Sequence, residues 1–173
     1  MAPDVPVRLA WAVDLVDPSP GEQILEFGCG PGVAAALVAD RLDGGRLVAI
    51  DRSATAVERT KARNAEHVRS GRVVVQQVEL ARLGGSSGAF DKAFAVNVNV
   101  FWTSPADAEC AVLARVLRSG GLVHLVYGGP PGARAGVRDI EPVVIGNLER
   151  YGFETSVRRD AGRGLVAVVG ALS

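Results

Sequence analysis

Cysteine, histidine and lysine are scarce in this sequence, and each shortage excludes something. The cysteines are Cys29 and Cys110, and the histidines are His67 and His124. No CxxC pair or Cys/His cluster occurs, so neither a zinc site nor a disulfide framework is expected, and no metal ligand set is assigned. No apolar run reaches the ~18 residues of a membrane span. Asp4, Arg8 and Asp14 interrupt the first apolar stretch, which is the wrong pattern for a signal peptide. A reducing, cytoplasmic setting is therefore expected, with no membrane partner. A surplus of either charge is also missing, with 19 basic against 19 acidic residues. Proteins that grip phosphate backbones usually carry a basic surplus, so nucleic acid is not the expected partner. Lys61 and Lys92 are the lysines, and the remaining 17 of the 19 cations are arginine, a compositional bias.

What is present is ordinary for a globular domain: 173 residues, 48% hydrophobic and 22% charged. That length suits one domain, large enough to bury a core without covalent staples. We divide it into an N-terminal helix and lead-in (1–20), a ligand-binding core (21–127) and a loop, helix and closing hairpin (128–173). Glycine is the excess, 21 residues, about 12% against a usual ~7%. The glycines fall mostly at the edges of apolar runs, where tight turns belong.

The apolar periodicity predicts a strand–helix alternation. Pro6 to Val16 reads as a helix, with Leu9, Ala12, Val13 and Val16 on one face. Strands follow at Gln23–Phe27, Arg46–Ile50, Val73–Val78, Phe90–Asn97 and Leu122–Tyr127. Between them, Val33–Leu42 is a helix, and a second runs to Ser70 from a cap at Ser53 or at Thr55, where Thr55-x-x-Glu58 fits a capping box. Leu80–Ala89 reads as a loop. A third helix is expected from Ser104 as cap and Pro105 as first residue to Arg118. After a Gly/Pro-rich loop, 128–138, Asp139 caps a helix reaching Tyr151. Phe153–Arg159 and Leu165–Ala171 then form a hairpin around Gly162-Arg163-Gly164. Continuous apolar strands such as Leu47–Ile50 suit a sheet covered on both faces. The expected fold is α/β: a doubly wound, mostly parallel seven-stranded sheet closed by an antiparallel hairpin, with helices on both faces.

In such a sheet, ligands sit beyond the carboxyl ends of the strands. The first strand delivers Gly28-Cys29-Gly30-Pro31-Gly32 there. Glycines allow positive φ and let a ligand touch backbone. Asp51 ends the neighbouring strand, where a carboxylate can accept both hydroxyls of a ribose. Read from Gly30, the register Gly30-x-Gly32-x-x-Ala35 also satisfies the dinucleotide fingerprint, so the glycines alone leave a nicotinamide cofactor open.

Ile24-Leu25-Glu26-Phe27-Gly28-Cys29-Gly30-Pro31-Gly32 resembles motif I of the class I S-adenosylmethionine-dependent methyltransferases, which have a Rossmann-like fold. Val48-Ala49-Ile50-Asp51 resembles that family's ribose-binding strand end. Gln77-Val78-Glu79 stands where the family has an acid for the adenine amino group, although Val78 replaces a common glycine and Glu an Asp. Phe90 to Asn97 resembles motif IV, and Leu117-Arg118-Ser119-Gly120-Gly121-Leu122 resembles the turn before the fifth strand. The resemblance implies S-adenosylmethionine as cofactor and S-adenosylhomocysteine as product. It implies cofactor contacts from Glu26, Gly28, Cys29, Gly30, Gly32, Asp51, Arg52, Glu79 and Asn97. Arg52 can stack on adenine or stand solvated, and Glu26 can face the cofactor's cationic end. The closing hairpin weighs against a nicotinamide oxidoreductase.

Methyl transfer from a sulfonium is one displacement, so no residue is singled out as catalytic. Asn99, Trp102 and Tyr127 are candidates for the acceptor pocket, with packing as the other reading of Trp102. The expected activity is methyl transfer to a small-molecule acceptor. A non-catalytic cofactor-binding subunit and an RNA methyltransferase are the other readings. The remaining groups read as structural: His124 as a satisfied core histidine, His67 as a cation near a helix end, Cys29 as a small buried thiol, and Arg158-Arg159 as a solvated strand end.

Overall fold

In this computed structural model, residues 5–128 and 137–173 are described. Among the described residues, apolar runs bounded by glycine become seven strands: β1 Gln23–Phe27, β2 Arg46–Asp51, β3 Val73–Gln77, β4 Phe90–Val96, β5 Leu117–Tyr127, β6 Phe153–Asp160 and β7 Leu165–Leu172. They form one sheet in the order β3-β2-β1-β4-β5-β7-β6. β1 to β5 pair in parallel, and β7 runs antiparallel to both β5 and β6. The doubly wound sheet with its antiparallel closing strand is therefore the observed fold. The chain order reverses between β1 and β4, which makes the carboxyl ends of those strands the switch point where ligands bind.

Strand alternation sorts side chains between two layers. Ile24, Leu47, Val73 and Phe94 face α1 (Val7–Val16) and α2 (Val33–Ala39), meeting Val13, Val16, Ala35 and Val38. Leu25, Phe27, Ile50, Ala93 and Leu125 face the other way, against Cys110, Leu113 and Val116 of α6 (Asp107–Val116) and Val144 and Leu148 of α7 (Val137–Glu149). Each such Leu, Ile or Phe contributes about 1.5–3 kcal/mol by leaving water.

The helices depart from the sequence expectation where side chains intervene. The long helix after β2 is two, α3 (Ala54–Arg63) and α4 (Ala65–Arg69), broken at Asn64. Asn64 Nδ2 donates to the carbonyls of both Thr60 and Gly32, at 3.0 Å each, drawing the turn toward the glycine loop. Ser53 is the cap, its hydroxyl accepting the Ala56 N–H at 3.3 Å, so the Thr55/Glu58 box is not the cap. Ser104 does not open the next helix. A short α5 (Val100–Thr103) precedes it, and α6 starts after Ala106, which has φ of 50°. Ser104 Oγ instead accepts the Ala106 N–H. β5 begins five residues early, at Leu117, because Arg118 to Gly121 bulge out between two paired stretches of β4 and β5. Asp139 lies inside α7 rather than at its start. Most of the loop expected over 128–138 lies outside the described residues.

Candidate functional site

The glycine loop turns at three positive-φ positions: Gly28 at 68°, Gly30 at 53° and Gly32 at 77°. An L side chain is strained at each. Two of the three are also fixed by packing. A Cβ on Gly28 would come within 2.6 Å of Val98 Cγ2, and one on Gly32 within 2.8 Å of the Thr60 backbone. Nothing lies within 4 Å of the Gly30 position. The Cys29 N–H donates to the Ile50 carbonyl at 3.1 Å, tying the loop to β2. The Cys29 thiol is buried 3.4 Å from Thr60 Oγ1, and burial pushes it up to about 12. It is an inert thiol that does not line the cleft described below.

Asp51 ends β2 half-buried. Its Oδ2 accepts the Gly30 N–H at 3.0 Å and its Oδ1 accepts the Ser53 N–H at 2.9 Å. Two backbone donors thus fix the carboxylate plane and leave each oxygen a lone pair for a further donor.

Glu26 shares the face of Ile24 and is 4% exposed. Among the described residues its Oε2 has no hydrogen-bond partner. Burial, and then the nearby Asp51 charge, raise its pKa from 4.5 to about 8. A buried, unpartnered carboxyl is costly unless something pairs with it. A cationic ligand group would do so, which makes Glu26 fit a cofactor bearing a sulfonium and an α-ammonium group.

A cleft of about 650 Å³ opens at the carboxyl ends of β1, β2 and β4. Of the residues singled out from the sequence, Gly28, Asp51, Arg52, Glu79, Asn97 and Asn99 line it. The Arg52 and Glu79 residues are exposed. Asn97, at φ of 56°, exchanges two hydrogen bonds with the backbone of Gly128, at 2.9 and 3.0 Å, and so joins the ends of β4 and β5.

Other predicted residues stand elsewhere. Tyr127 is 4% exposed in the core, and its hydroxyl donates to the Val98 carbonyl at 3.2 Å. Burial pushes that hydroxyl well above its ordinary pKa, so it supports the loop rather than serving as a base. Trp102 is 37% exposed, donates to Asn99 Oδ1 at 3.3 Å and does not line the cleft. Glu26, Gly30 and Gly32 are not among the residues that line the cleft.

The sequence reading missed Val98, Phe101, Thr103 and Glu109, which also line the cleft. Phe101 stacks obliquely on Phe27, ring centres 5.8 Å apart, as a floor. No local motif marks these residues; Glu109 reaches the cleft from α6, which packs on the sheet through Cys110, Leu113 and Val116. Two structural readings also change. Arg159 is not merely solvated, because its guanidinium grips both oxygens of the buried Glu141 on α7. His124 is buried as expected, but its Nδ1 has no partner among the described residues. Among the described residues no cluster of three or more His, Cys, Asp or Glu could hold a metal, and no helix is long and apolar enough to cross a membrane.

Residues 24–121 match the family described as "Methyltransferase domain". The chain is 37% identical over 121 residues to nocamycin O-methyltransferase of Saccharothrix syringae, a match covering 69% of this chain but only 42% of that protein. A SAM-dependent methyltransferase from Aquifex aeolicus superposes with a TM-score of 0.77 at 17% identity, over 95% of this chain and 89% of that one. Geranyl diphosphate C-methyltransferase from Streptomyces coelicolor, solved with Mg2+, geranyl-S-thiolodiphosphate and S-adenosyl-L-homocysteine, superposes with 0.76 at 11% identity, over 96% and 75%. At such identities these two structures share the fold.

Proposed function

This chain belongs to the S-adenosylmethionine-dependent methyltransferase family, and from that premise we propose that it transfers a methyl group to a small-molecule acceptor by direct displacement. The nicotinamide alternative gives way to the family match, which takes in the glycine loop, Asp51, Glu79 and Asn97. The observation that carries the reading is the convergence of Gly28, Asp51, Arg52, Glu79, Asn97 and Asn99 on one cleft at the switch point.

In this reading Asp51 accepts the ribose hydroxyls, and Glu79 accepts from the adenine amino group while Arg52 covers the base. Gly28, Cys29, Gly30 and Gly32 present backbone, and Glu26 faces the cationic end. Asn97 orients the methionine part. The bound cofactor supplies an already activated methyl group. The chain's own task is then alignment, and positioning of this kind supplies up to about 7–11 kcal/mol of the barrier. Asn99, Thr103 and Glu109 are the polar lining groups left for the acceptor. Two of the proteins matched above carry small molecules in their names, nocamycin and geranyl diphosphate, which supports an acceptor of that size.

Isothermal titration with S-adenosylhomocysteine tests the reading. Binding is expected, and a folded sample that takes up none at millimolar ligand sinks it. Charge-assisted hydrogen bonds contribute about 1.5–3 kcal/mol each, so Asp51→Ala is expected to weaken binding tenfold or more. Unchanged affinity would remove Asp51 from the ribose.

A further inference from the structure

The glycine loop is held from behind by one helix. Thr60 Oγ1 donates to the Gly30 carbonyl at 2.8 Å. Arg63 Nε donates to the Pro31 carbonyl at 2.9 Å. Asn64 Nδ2 donates to the Gly32 carbonyl at 3.0 Å. Three consecutive carbonyls of the loop are thus taken by three side chains at the C-terminal end of α3, Thr60 and Arg63 in its last turn and Asn64 as its cap. Helical spacing explains the set, since residues 60, 63 and 64 share a face. Gly32 lets that face come close, because a Cβ there would meet Thr60 and Asn64 inside 3 Å.

These bonds go beyond packing. Glycines lose more conformational freedom on ordering than any other residue, so a loop with three of five is intrinsically loose. Three donors on a rigid helix remove that looseness before any ligand arrives. On its other side the loop is tied to β2, because the Gly30 N–H donates to Asp51 Oδ2 at 3.0 Å.

We propose that Thr60, Arg63 and Asn64 are positioning residues that pre-order the glycine loop for cofactor binding. This rests on the reading of the cleft as the S-adenosylmethionine site. None of the three lines the cleft, and they act through the loop.

The test uses Arg63→Met, Thr60→Val and Thr60→Ser in the whole chain. Arg63 is exposed, so its loss leaves the fold standing. Amide exchange of the loop residues 28–33 is followed by mass spectrometry without ligand, and S-adenosylhomocysteine affinity by titration. Arg63→Met and Thr60→Val are each expected to speed loop exchange and to weaken binding about fivefold, the equivalent of one hydrogen bond. Thr60→Ser keeps the donor and is expected to bind within about twofold of the parent. If Arg63→Met leaves both exchange and affinity at parental values, the proposal is overturned. Where Thr60→Val fails to fold, Arg63→Met decides. If the parent itself binds no S-adenosylhomocysteine, the reading of the site falls, and loop exchange still reports on the restraint.

Discussion

Glu26 and His124 are both buried and titratable, and their linkages run in opposite directions. Glu26 is raised from 4.5 to about 8, so the folded chain holds its proton more tightly than the unfolded chain. The stability it contributes is fully present below 4.5 and is lost as pH rises toward 8. His124 is lowered from 6.5 to about 4 by burial and then by Lys92. Its contribution is present above 6.5 and is lost as pH falls toward 4. The two oppose each other between 4.5 and 6.5, and Glu26 acts alone between 6.5 and 8. We therefore expect the melting temperature of the parent to fall from pH 6.5 to pH 8, and Glu26→Gln to flatten that fall. Parallel thermal melts of the two proteins check this, and equal slopes would refute it. The positions of Gly28, Gly30, Gly32 and Asp51 were readable in sequence because backbone conformation confines glycine and a strand end confines the carboxylate. The place of Glu109 was not, since only packing of α6 against the sheet turns it into the cleft.

The walls of the cleft are fastened by single polar side chains on neighbouring helices. α3 holds the glycine loop, and Arg115 of α6 holds the Leu83 and Gly85 carbonyls of the loop after β3. Asn147 of α7, 4% exposed, donates to the Phe101 carbonyl at 2.8 Å and the Ser104 carbonyl at 3.0 Å. Asn147→Leu would leave both carbonyls without that donor. An unsatisfied buried group costs about 1–3 kcal/mol, so we expect roughly 2–3 kcal/mol of lost stability in urea titration, with α5 loosened first. A loss within about 0.5 kcal/mol, the scatter of ordinary surface substitutions, would show that the clamp is idle. The same bonds explain what the sequence concealed about these elements. Strands were legible because continuous apolar runs have few other fates. Helix ends were not, because Asn64 and Ser104 trade helical geometry for bonds to residues elsewhere in the chain or at the α5–α6 corner.

At the scale of the molecule, charge is balanced and much of it is internally paired. Arg41, Lys92, Arg118, Arg150, Arg159 and Arg163 each lie within ion-pair distance of an acid. The exposed pairs among them add about 0–1 kcal/mol each to stability, but all of them leave fewer free cations to make a basic stripe. Among the described residues, three carboxylates, Asp51, Glu79 and Glu109, and one guanidinium, Arg52, line the cleft. Its field therefore favours cationic or neutral ligands, which suits a sulfonium and disfavours a polyanion. Phosphate-backbone binding would announce itself by a steep loss of affinity with salt. We expect a fluorescent single-stranded RNA to show no saturable binding even at about 50 mM salt, and unlabelled RNA to leave S-adenosylhomocysteine in place. Saturable binding with a steep salt slope would instead mean that arginines outside the cleft form a phosphate track, and the acceptor would then be sought among nucleic acids rather than small molecules.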